Sequence, residues 1–188
     1  FDGMTPFVTE TASAVPMNIY AQHKAEAEKL VLNKNSSALI CRTNFVGWGP
    51  HYRKSLSDII LSSLEKDEQL SMFDDVYFTP ISATQVIDIC HALIDKGEEG
   101  IINLCSNERI SKYEFSTRLA EKFGYNPKKI QPIQAWRQNG KVQRPLDLSL
   151  CDKNLRQKLQ RNGISIDAVL DELKSIEQEY RELRQLGR

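Results

Sequence analysis

The stretch Ser37-Ala38-Leu39-Ile40-Cys41-Arg42-Thr43 is a short apolar run of the kind that forms a buried parallel strand. Before it, residues 16–33 begin with a proline and carry the strong helix formers Lys24-Ala25-Glu26-Ala27-Glu28-Lys29, which predict a helix. After it, residues 44–50 form a loop that contains glycine. Helix, strand and loop in this order predict an α/β layer whose ligands lie beyond the C-terminal end of the strand.

Apolar periodicity and capping residues predict the elements that follow. The expected helices cover 56–65, 83–96, 112–123 and about 166–186, the expected strands cover 69–73 and 100–105, and irregular connections are expected over 74–80 and 134–150. Ser111 is expected to cap the third of these helices, with Glu114 as the partner in a capping box. Asp152 and Ser165 are interpreted as N-caps of two final helices. The chain therefore alternates helix and strand early and becomes mostly helical late.

The composition is that of one globular domain with 188 residues, of which 40% are hydrophobic and 27% charged. Lys and Arg together number 25 and balance 25 acidic residues, so no basic field attracts nucleic acid or an anionic membrane. No apolar run approaches the ~20 residues of a membrane span. Neither nucleic acid nor a membrane is therefore expected as a partner.

The four cysteines are Cys41, Cys90, Cys105 and Cys151, and none of them forms a CxxC pair. No histidine lies at metal-ligand spacing from them, and the first three sit inside apolar segments. This pattern favours reduced core cysteines of a cytosolic protein over a metal site or a disulfide.

Tyr20 and Lys24 are four residues apart in the first predicted helix and so share one of its faces. An ammonium beside a phenol favours the phenolate, which lets the phenol donate a proton to a carbonyl oxygen. The bare Y-x-x-x-K pattern is equally typical of an exposed helix pair without a catalytic role. The flanking residues decide between these interpretations.

The pair lies in Pro16-Met17-Asn18-Ile19-Tyr20-Ala21-Gln22-His23-Lys24, after an opening Phe1-Asp2-Gly3 and before the strand that ends in Arg42-Thr43. This arrangement resembles the extended short-chain dehydrogenase/reductase family, most closely its dTDP-4-dehydrorhamnose reductase branch. Glu10 and Glu28 match acidic positions of that pattern, and Arg144-Pro145 with Leu150, Asp152 and Lys153 is similar to a later segment. His23 departs from it, because Ser or Thr usually precedes the lysine, and is interpreted as a surface substitution.

The resemblance implies the C-terminal part of a Rossmann-like α/β fold with parallel strands and helices, plus a smaller, mainly helical substrate-binding portion. Residues 1–53 would end the NAD(P)-binding domain, and residues 54–188 would hold the substrate-binding portion together with returning Rossmann elements. The family's glycine-rich cofactor loop and its catalytic Ser or Thr would lie upstream of residue 1. The implied cofactor is NAD or NADP, the implied partner is a nucleotide-sugar substrate, and a homodimer is compatible with the family. The expected location is the cytoplasm.

The implied reaction is the NAD(P)H-dependent reduction of a nucleotide-linked 4-keto-6-deoxy sugar, as in dTDP-rhamnose and polysaccharide biosynthesis. Tyr20 and Lys24 would be catalytic and would also contact the cofactor, and Thr43, Asn44 and Phe45 would face the cofactor as well. Asn44, Phe45 and Arg144 would bind the substrate. The competing interpretations place Arg42 in a structural ion pair, Phe45 in the core and Arg144 in a solvated loop.

Two other functions remain open at this point. One is epimerisation or dehydration of a nucleotide sugar on the same fold, which Phe1-Asp2-Gly3 disfavours because it looks like the corresponding segment of the reductases. The other is a non-catalytic, nucleotide-sugar-binding regulatory subunit of this fold.

Overall fold

The computed structural model describes residues 2–50, 52–135 and 145–185. The predicted substrate residue Arg144 lies outside these ranges, as do Phe1 and His51. The helices are α1 (Ile19–Lys34), α2 (Leu56–Glu65), α3 (Ala83–Asp95), α4 (Lys112–Lys122), α5 (Lys153–Leu159), α6 (Ile166–Ser175) and α7 (Glu177–Gln185). The strands are β1 (Leu39–Thr43), β2 (Phe45–Val46), β3 (Leu70–Phe73), β4 (Tyr77–Phe78), β5 (Ile81–Ser82), β6 (Gly100–Leu104), β7 (Ile110–Ser111) and β8 (Ile130–Ile133).

Parallel pairing dominates the strands, which confirms the predicted α/β layer. β1 runs parallel to β6, with Leu39 opposite Gly100 and Thr43 opposite Leu104. β2 and β5 pair in parallel just beyond the end of β1, and β3 pairs in parallel with β8. β4 and β7 form an antiparallel pair. The residue that follows β1 therefore lies at the C-terminal edge of a parallel pair, where α/β folds bind ligands.

Serine side chains fix the start of four helices. Ser55 and Ser82 each form a full capping box, with Asp58 and Gln85 as the reciprocal partners. Ser165 caps α6 as predicted, by accepting a hydrogen bond from the Ala168 N–H at 3.1 Å. Asp152 stands at the N-cap position of α5, but its side chain makes no capping hydrogen bond.

Half of the capping box predicted at Ser111 is present. The Ser111 hydroxyl accepts the Glu114 N–H at 3.0 Å, as expected. The Glu114 carboxylate, however, is turned toward Arg118, 2.8 Å away and one turn along α4. An i,i+4 ion pair on the exposed side of the helix thus takes the place of the reciprocal cap.

Several predicted boundaries are wrong, and each has a local cause. The first helix begins at Ile19 rather than Pro16, because the Asn18 side chain accepts the Ala21 N–H and caps it there. The segment 74–80, expected to be irregular, contains β4. The single last helix expected over 166–186 is divided at Ile176 into α6 and α7.

The main core lies between the parallel strands and the helices that cover them. Its fully buried side chains include Phe78, Phe115, Ile102, Leu104 and Leu93. The Phe78 and Phe115 rings meet edge to face with centroids 5.5 Å apart, which is a favourable aromatic geometry. Within the residues described, the structure holds no helix with the length and apolar character that crossing a bilayer requires.

Adjacent residues of α3 offer a matched test of this core. Leu93 is fully buried, whereas Ile94 is 61% exposed. Leu93→Ala is expected to lower the free energy of unfolding by about 2–5 kcal/mol, because it leaves a cavity. Ile94→Ala is expected to change it by about 0.5 kcal/mol or less, as is usual for surface positions. Urea denaturation of both variants measures this, and equal losses would contradict the placement of α3.

Candidate functional site

Tyr20 and Lys24 lie in the first turns of α1, where the structure brings them together as predicted. The Tyr20 side chain is 72% exposed, so its hydroxyl is accessible to a ligand. The Lys24 ammonium lies 5.8 Å from the centroid of the Tyr20 ring, within the range of a cation–π contact. Both side chains therefore lie on one exposed face of α1.

Arg42, the residue before Thr43 in β1, holds α1 against the sheet. Its Nε and Nη2 donate to the two carboxylate oxygens of Glu28, at 2.9 and 2.7 Å. The side chains are only 13% and 24% exposed, so the ion pair is poorly screened by solvent. Glu28 is eight residues, or about 12 Å, along the helix from Tyr20. The structural interpretation of Arg42 is therefore correct, and the ion pair also sets where Tyr20 stands.

A network of hydrogen bonds continues from Arg42 into the N-terminal loop. The Glu10 carbonyl accepts from Arg42 Nη1 at 3.3 Å, and the Glu10 carboxylate accepts the Asn103 N–H at 3.0 Å. The buried Asn103 amide then donates to the carbonyls of Val8, at 2.9 Å, and of Cys151, at 3.3 Å. The loop before α1 is thus joined to both strands of the central parallel pair and to the segment before α5.

Gly3 allows the N-terminal loop to pass close to residues 145–151. Its φ of +70° lies in the left-handed region, which favours glycine. A Cβ at this position would stand 2.6 Å from Pro145 Cβ and 2.7 Å from Met17 Sδ. The Gly3 carbonyl accepts the N–H groups of Leu146 at 3.0 Å and Asp147 at 2.8 Å. These contacts give a physical reason for a glycine after Phe1-Asp2.

The same loop forms a cleft of about 330 Å³. Its walls are Asp2, Thr5, Phe7, Val8, Thr9, Ala12, Ser13 and Val15. Hydrogen bonds from the Thr5 hydroxyl and from the N–H groups of Met4 and Thr5 lower the pKa of Asp2 to about 2. The cleft therefore carries a negative charge at one wall throughout the neutral pH range.

Thr43, Asn44 and Phe45 follow one another at the C-terminal end of β1, where the sequence places them. The Thr43 hydroxyl is buried and has no hydrogen-bond partner among the described residues. Asn44 Oδ1 accepts the Thr79 N–H at 3.3 Å, which orients the amide. Phe45 is 67% exposed, so the alternative that it belongs to the core is wrong. An exposed aromatic ring and a buried hydroxyl without a partner are both features that a bound ligand would satisfy.

The loop after β2 is anchored on its far side. The buried Asp58 carboxylate accepts the Gly49 N–H at 2.8 Å, and the Ser55 hydroxyl donates to the Gly47 carbonyl. The Trp48 indole N–H donates to the Leu173 carbonyl at 3.2 Å, and its ring stacks on Tyr180 with centroids 6.2 Å apart. The exposed Phe45 of β2 thus stands beside a loop that is fixed to α2, α6 and α7.

Sequence reasoning missed a cationic group around the β4–β7 pair. Arg109 forms an ion pair with the buried Asp147 at 2.7 Å, and its guanidinium lies 3.5 Å from the centroid of the Tyr77 ring. Lys112 Nζ lies 3.3 Å from the centroid of the Phe78 ring, and burial lowers the pKa of this lysine to about 8. No spacing rule connects Arg109 with Asp147, because the contact spans 38 residues and depends on the tertiary fold.

Two glycines with a similar backbone test the close approach at Gly3. Gly97 has a φ of +67° but open space where a Cβ would stand. Gly97→Ala is expected to cost about 1 kcal/mol of folding free energy, from backbone strain alone. Gly3→Ala adds the clash with Pro145 and is expected to cost about 2–4 kcal/mol. Thermal denaturation compares the two, and equal costs would contradict the packing of the loop on residue 145.

The Arg42–Glu28 pair can be tested against the exposed pair Arg118–Glu114, whose side chains are 37% and 48% exposed. Glu28→Gln is expected to lower the free energy of unfolding by about 1–3 kcal/mol, because it leaves a half-buried guanidinium without its counter-charge. Glu114→Gln is expected to cost about 0.5 kcal/mol or less. Chemical denaturation at low salt measures both, and an equal effect would show that Glu28 does not hold α1.

Known proteins show the same fold. A dTDP-4-dehydrorhamnose reductase from Bacillus anthracis, solved in complex with NADP, superposes with a TM-score of 0.82 at 19% identity, over 92% of this chain and 61% of that one. This likeness confirms the predicted Rossmann-like α/β fold.

Two curated relatives match part of the chain. The methionine adenosyltransferase 2 subunit beta of Rattus norvegicus is 27% identical over 154 residues, which is 71% of this chain and 42% of that protein. The probable low-salt glycan biosynthesis reductase Agl14 of Haloferax volcanii is 29% identical over 131 residues, covering 66% of this chain and 43% of that protein. The chain thus spans less than half the length of either relative.

The model of the RmlD substrate binding domain matches residues 1–179, nearly the whole chain. This match includes the Tyr20 helix, the C-terminal end of β1 and the helices α2 and α6. The chain belongs to the RmlD substrate binding domain family.

Proposed function

We propose that this chain supplies the proton donor and the substrate side of an enzyme that reduces a nucleotide-linked 4-keto-6-deoxy sugar with NADH or NADPH. The observation that carries the proposal is the accessible Tyr20 hydroxyl with Lys24 beside it, in a chain of the RmlD substrate binding domain family. The dTDP-4-dehydrorhamnose reductase with the same fold supports the choice of reduction and of the cofactor.

Thr43, Asn44 and Phe45, at the C-terminal end of β1, form the proposed ligand edge. Together with Lys24 they fit one side of a dinucleotide. Lys24 is exposed and can donate hydrogen bonds to ribose hydroxyls, and the Thr43 hydroxyl has no partner among the described residues. Asn44 and Phe45 present an amide and an aromatic face next to it. The sequence holds no GxxGxxG phosphate loop, the segment that binds the cofactor diphosphate in Rossmann folds.

In the proposed mechanism, Tyr20 donates its hydroxyl proton to the ketone oxygen of the sugar. A nicotinamide cofactor, when bound, supplies the hydride that reduces the ketone carbon. Lys24 would stabilise the phenolate that Tyr20 leaves behind, because its ammonium lies 5.8 Å from the centroid of the Tyr20 ring. The Arg42–Glu28 ion pair holds α1 so that this proton is delivered at a fixed position relative to β1.

The substrate would lie against Asn44 and Phe45, with Arg144 on its diphosphate, since a guanidinium matches the geometry of phosphate oxygens. Residues 1–53 would then complete the cofactor-binding domain and residues 54–188 most of the substrate-binding portion. The pairing of β6 with β1 supports the expected return of the second portion to the first. A cytosolic homodimer without nucleic-acid or membrane partners stays a prediction.

A second function is favoured by the curated relative that is named as subunit beta of methionine adenosyltransferase 2. On this alternative the protein would be a regulatory subunit that binds a nucleotide ligand without turning it over. Epimerisation or dehydration of a nucleotide sugar is the third alternative. A reductase consumes one NAD(P)H for each product molecule, whereas epimerisation and dehydration regenerate their cofactor.

The decisive measurement is turnover by the full-length protein that contains this chain, followed by NAD(P)H absorbance with a dTDP-4-keto-6-deoxy sugar. Tyr20→Phe is expected to lower kcat at least about 100-fold, because it removes the general acid and keeps the ring. Tyr125→Phe is the matched control. It removes a hydroxyl that lies just after α4 and 3.3 Å from Glu65. This control is expected to keep kcat within about twofold.

The outcomes separate the alternatives. Unchanged turnover in Tyr20→Phe would overturn the assignment of the proton donor. Binding of the nucleotide sugar by the unmodified protein without consumption of NAD(P)H or formation of product would favour the regulatory subunit. A changed sugar with no net loss of NAD(P)H would indicate epimerisation or dehydration.

A further inference from the structure

Two of the four cysteines face each other across the strand–helix layer. Cys41 lies in the middle of β1 and Cys90 in the last turns of α3. The Cys90 thiol donates to Cys41 Sγ, and the two sulfurs are 3.7 Å apart. Both residues are half-buried and both are free thiols. No function has been given to this pair by the proposed reaction.

The other two cysteines are placed differently. Cys105 is buried, and its thiol is directed to the Leu150 carbonyl at 3.3 Å. Burial raises the pKa of Cys105 to about 12, so its thiol form is favoured at neutral pH. Cys151 is half-buried and free. Cys41 and Cys90 are therefore two thiols in contact, and Cys105 and Cys151 provide the comparison within the same chain.

We propose that Cys41 and Cys90 are a redox modification site, at which a low-molecular-weight disulfide of the glutathione class converts the two thiols into a reversible intramolecular disulfide. A disulfide has a sulfur–sulfur bond of about 2.05 Å, so the two sulfurs must approach by about 1.7 Å. Side-chain rotation and a small shift of α3 on β1 would have to supply this movement. The bond would join an element of the sheet to the helix that covers it.

The reaction balances with the small disulfide as oxidant. The thiolate of one cysteine attacks a sulfur of the small disulfide, which forms a mixed disulfide and releases one small thiolate. The thiolate of the second cysteine then attacks the mixed disulfide, which closes the Cys41–Cys90 bond and releases the second small thiolate. The protein loses two protons and two electrons, and the oxidant is reduced to two small thiols.

The thiol form is favoured at neutral pH. Burial, followed by the hydrogen bond and the charge interaction with Cys90, raises the pKa of Cys41 to about 12. Because thiolate is the attacking species, oxidation is slow at neutral pH and becomes faster as the pH rises. A mildly alkaline buffer is therefore the condition in which the pair should be oxidised.

The place of the pair connects it with the ligand edge. Cys41 is two residues before Thr43, and β1 continues through Asn44 into Phe45. α3 begins beside the loop that follows β2. A Cβ placed on Gly47 of that loop would stand 3.3 Å from the Cβ of Ala83, the first residue of α3. The disulfide would therefore tie together two elements that end at the proposed ligand edge.

The test uses the full chain, incubated with oxidised glutathione at about pH 8.5, where the thiolate fraction is higher than at neutral pH and attack is faster. Two of the four thiols are expected to become unreactive, and the intact mass is expected to fall by about 2 Da because two hydrogen atoms leave. Tryptic digestion without reductant should then yield the peptides 35–42 and 67–96 joined by a disulfide. Dithiothreitol should separate them.

Matched variants localise the bond. Cys151→Ser is expected to keep the joined peptides, whereas Cys41→Ser is expected to lose them and to leave at most a mixed disulfide on Cys90. The protein without substitutions is sufficient to overturn the proposal. It would do so if, after this treatment, it kept four free thiols, carried only mixed disulfides, or formed a disulfide through Cys105 or Cys151. The readout needs no enzymatic turnover, so it is independent of the proposed reaction.

Discussion

The bidentate contact between Arg42 and Glu28 holds α1 against the sheet. None of the sixteen residues of this helix is buried. Apolar burial normally supplies most of the stability of a surface helix, and α1 lacks it. The same guanidinium reaches the Glu10 carbonyl, so one side chain fixes the loop before α1, the helix itself and the strand after it. The position of Tyr20 relative to β1 therefore depends on this contact.

The sequence was sufficient for elements with a long, regular pattern. The helices α2 and α3 have apolar residues at helical spacing and serine caps, and their boundaries agree with prediction to within one residue. The two-residue strands are too short to show a period, and Pro132 disfavoured a strand where β8 lies. The break at Ile176 is hidden because the apolar pattern continues through it.

For the candidate site, local contacts could be predicted and tertiary ones could not. The contact of Lys24 with Tyr20 follows from a spacing of four residues in a helix. The partner of Arg42 is fourteen residues away in another element, and that of Arg109 is thirty-eight residues away, so both require the fold. The sequence left Phe45 open, because an aromatic residue after a strand is compatible with either a core or a surface position. The exposure of its side chain in the structure places it at the surface.

The absence of buried residues in α1 also has a consequence for motion. Helices such as α4 and α6, with buried Phe115, Leu119, Val169 and Leu173, open only when much of the core opens. α1 can detach and fray while that core stays intact, so its backbone amides should exchange with deuterated solvent long before theirs. The residue proposed as proton donor therefore stands, in this chain, on a helix whose docking rests mainly on one ion pair.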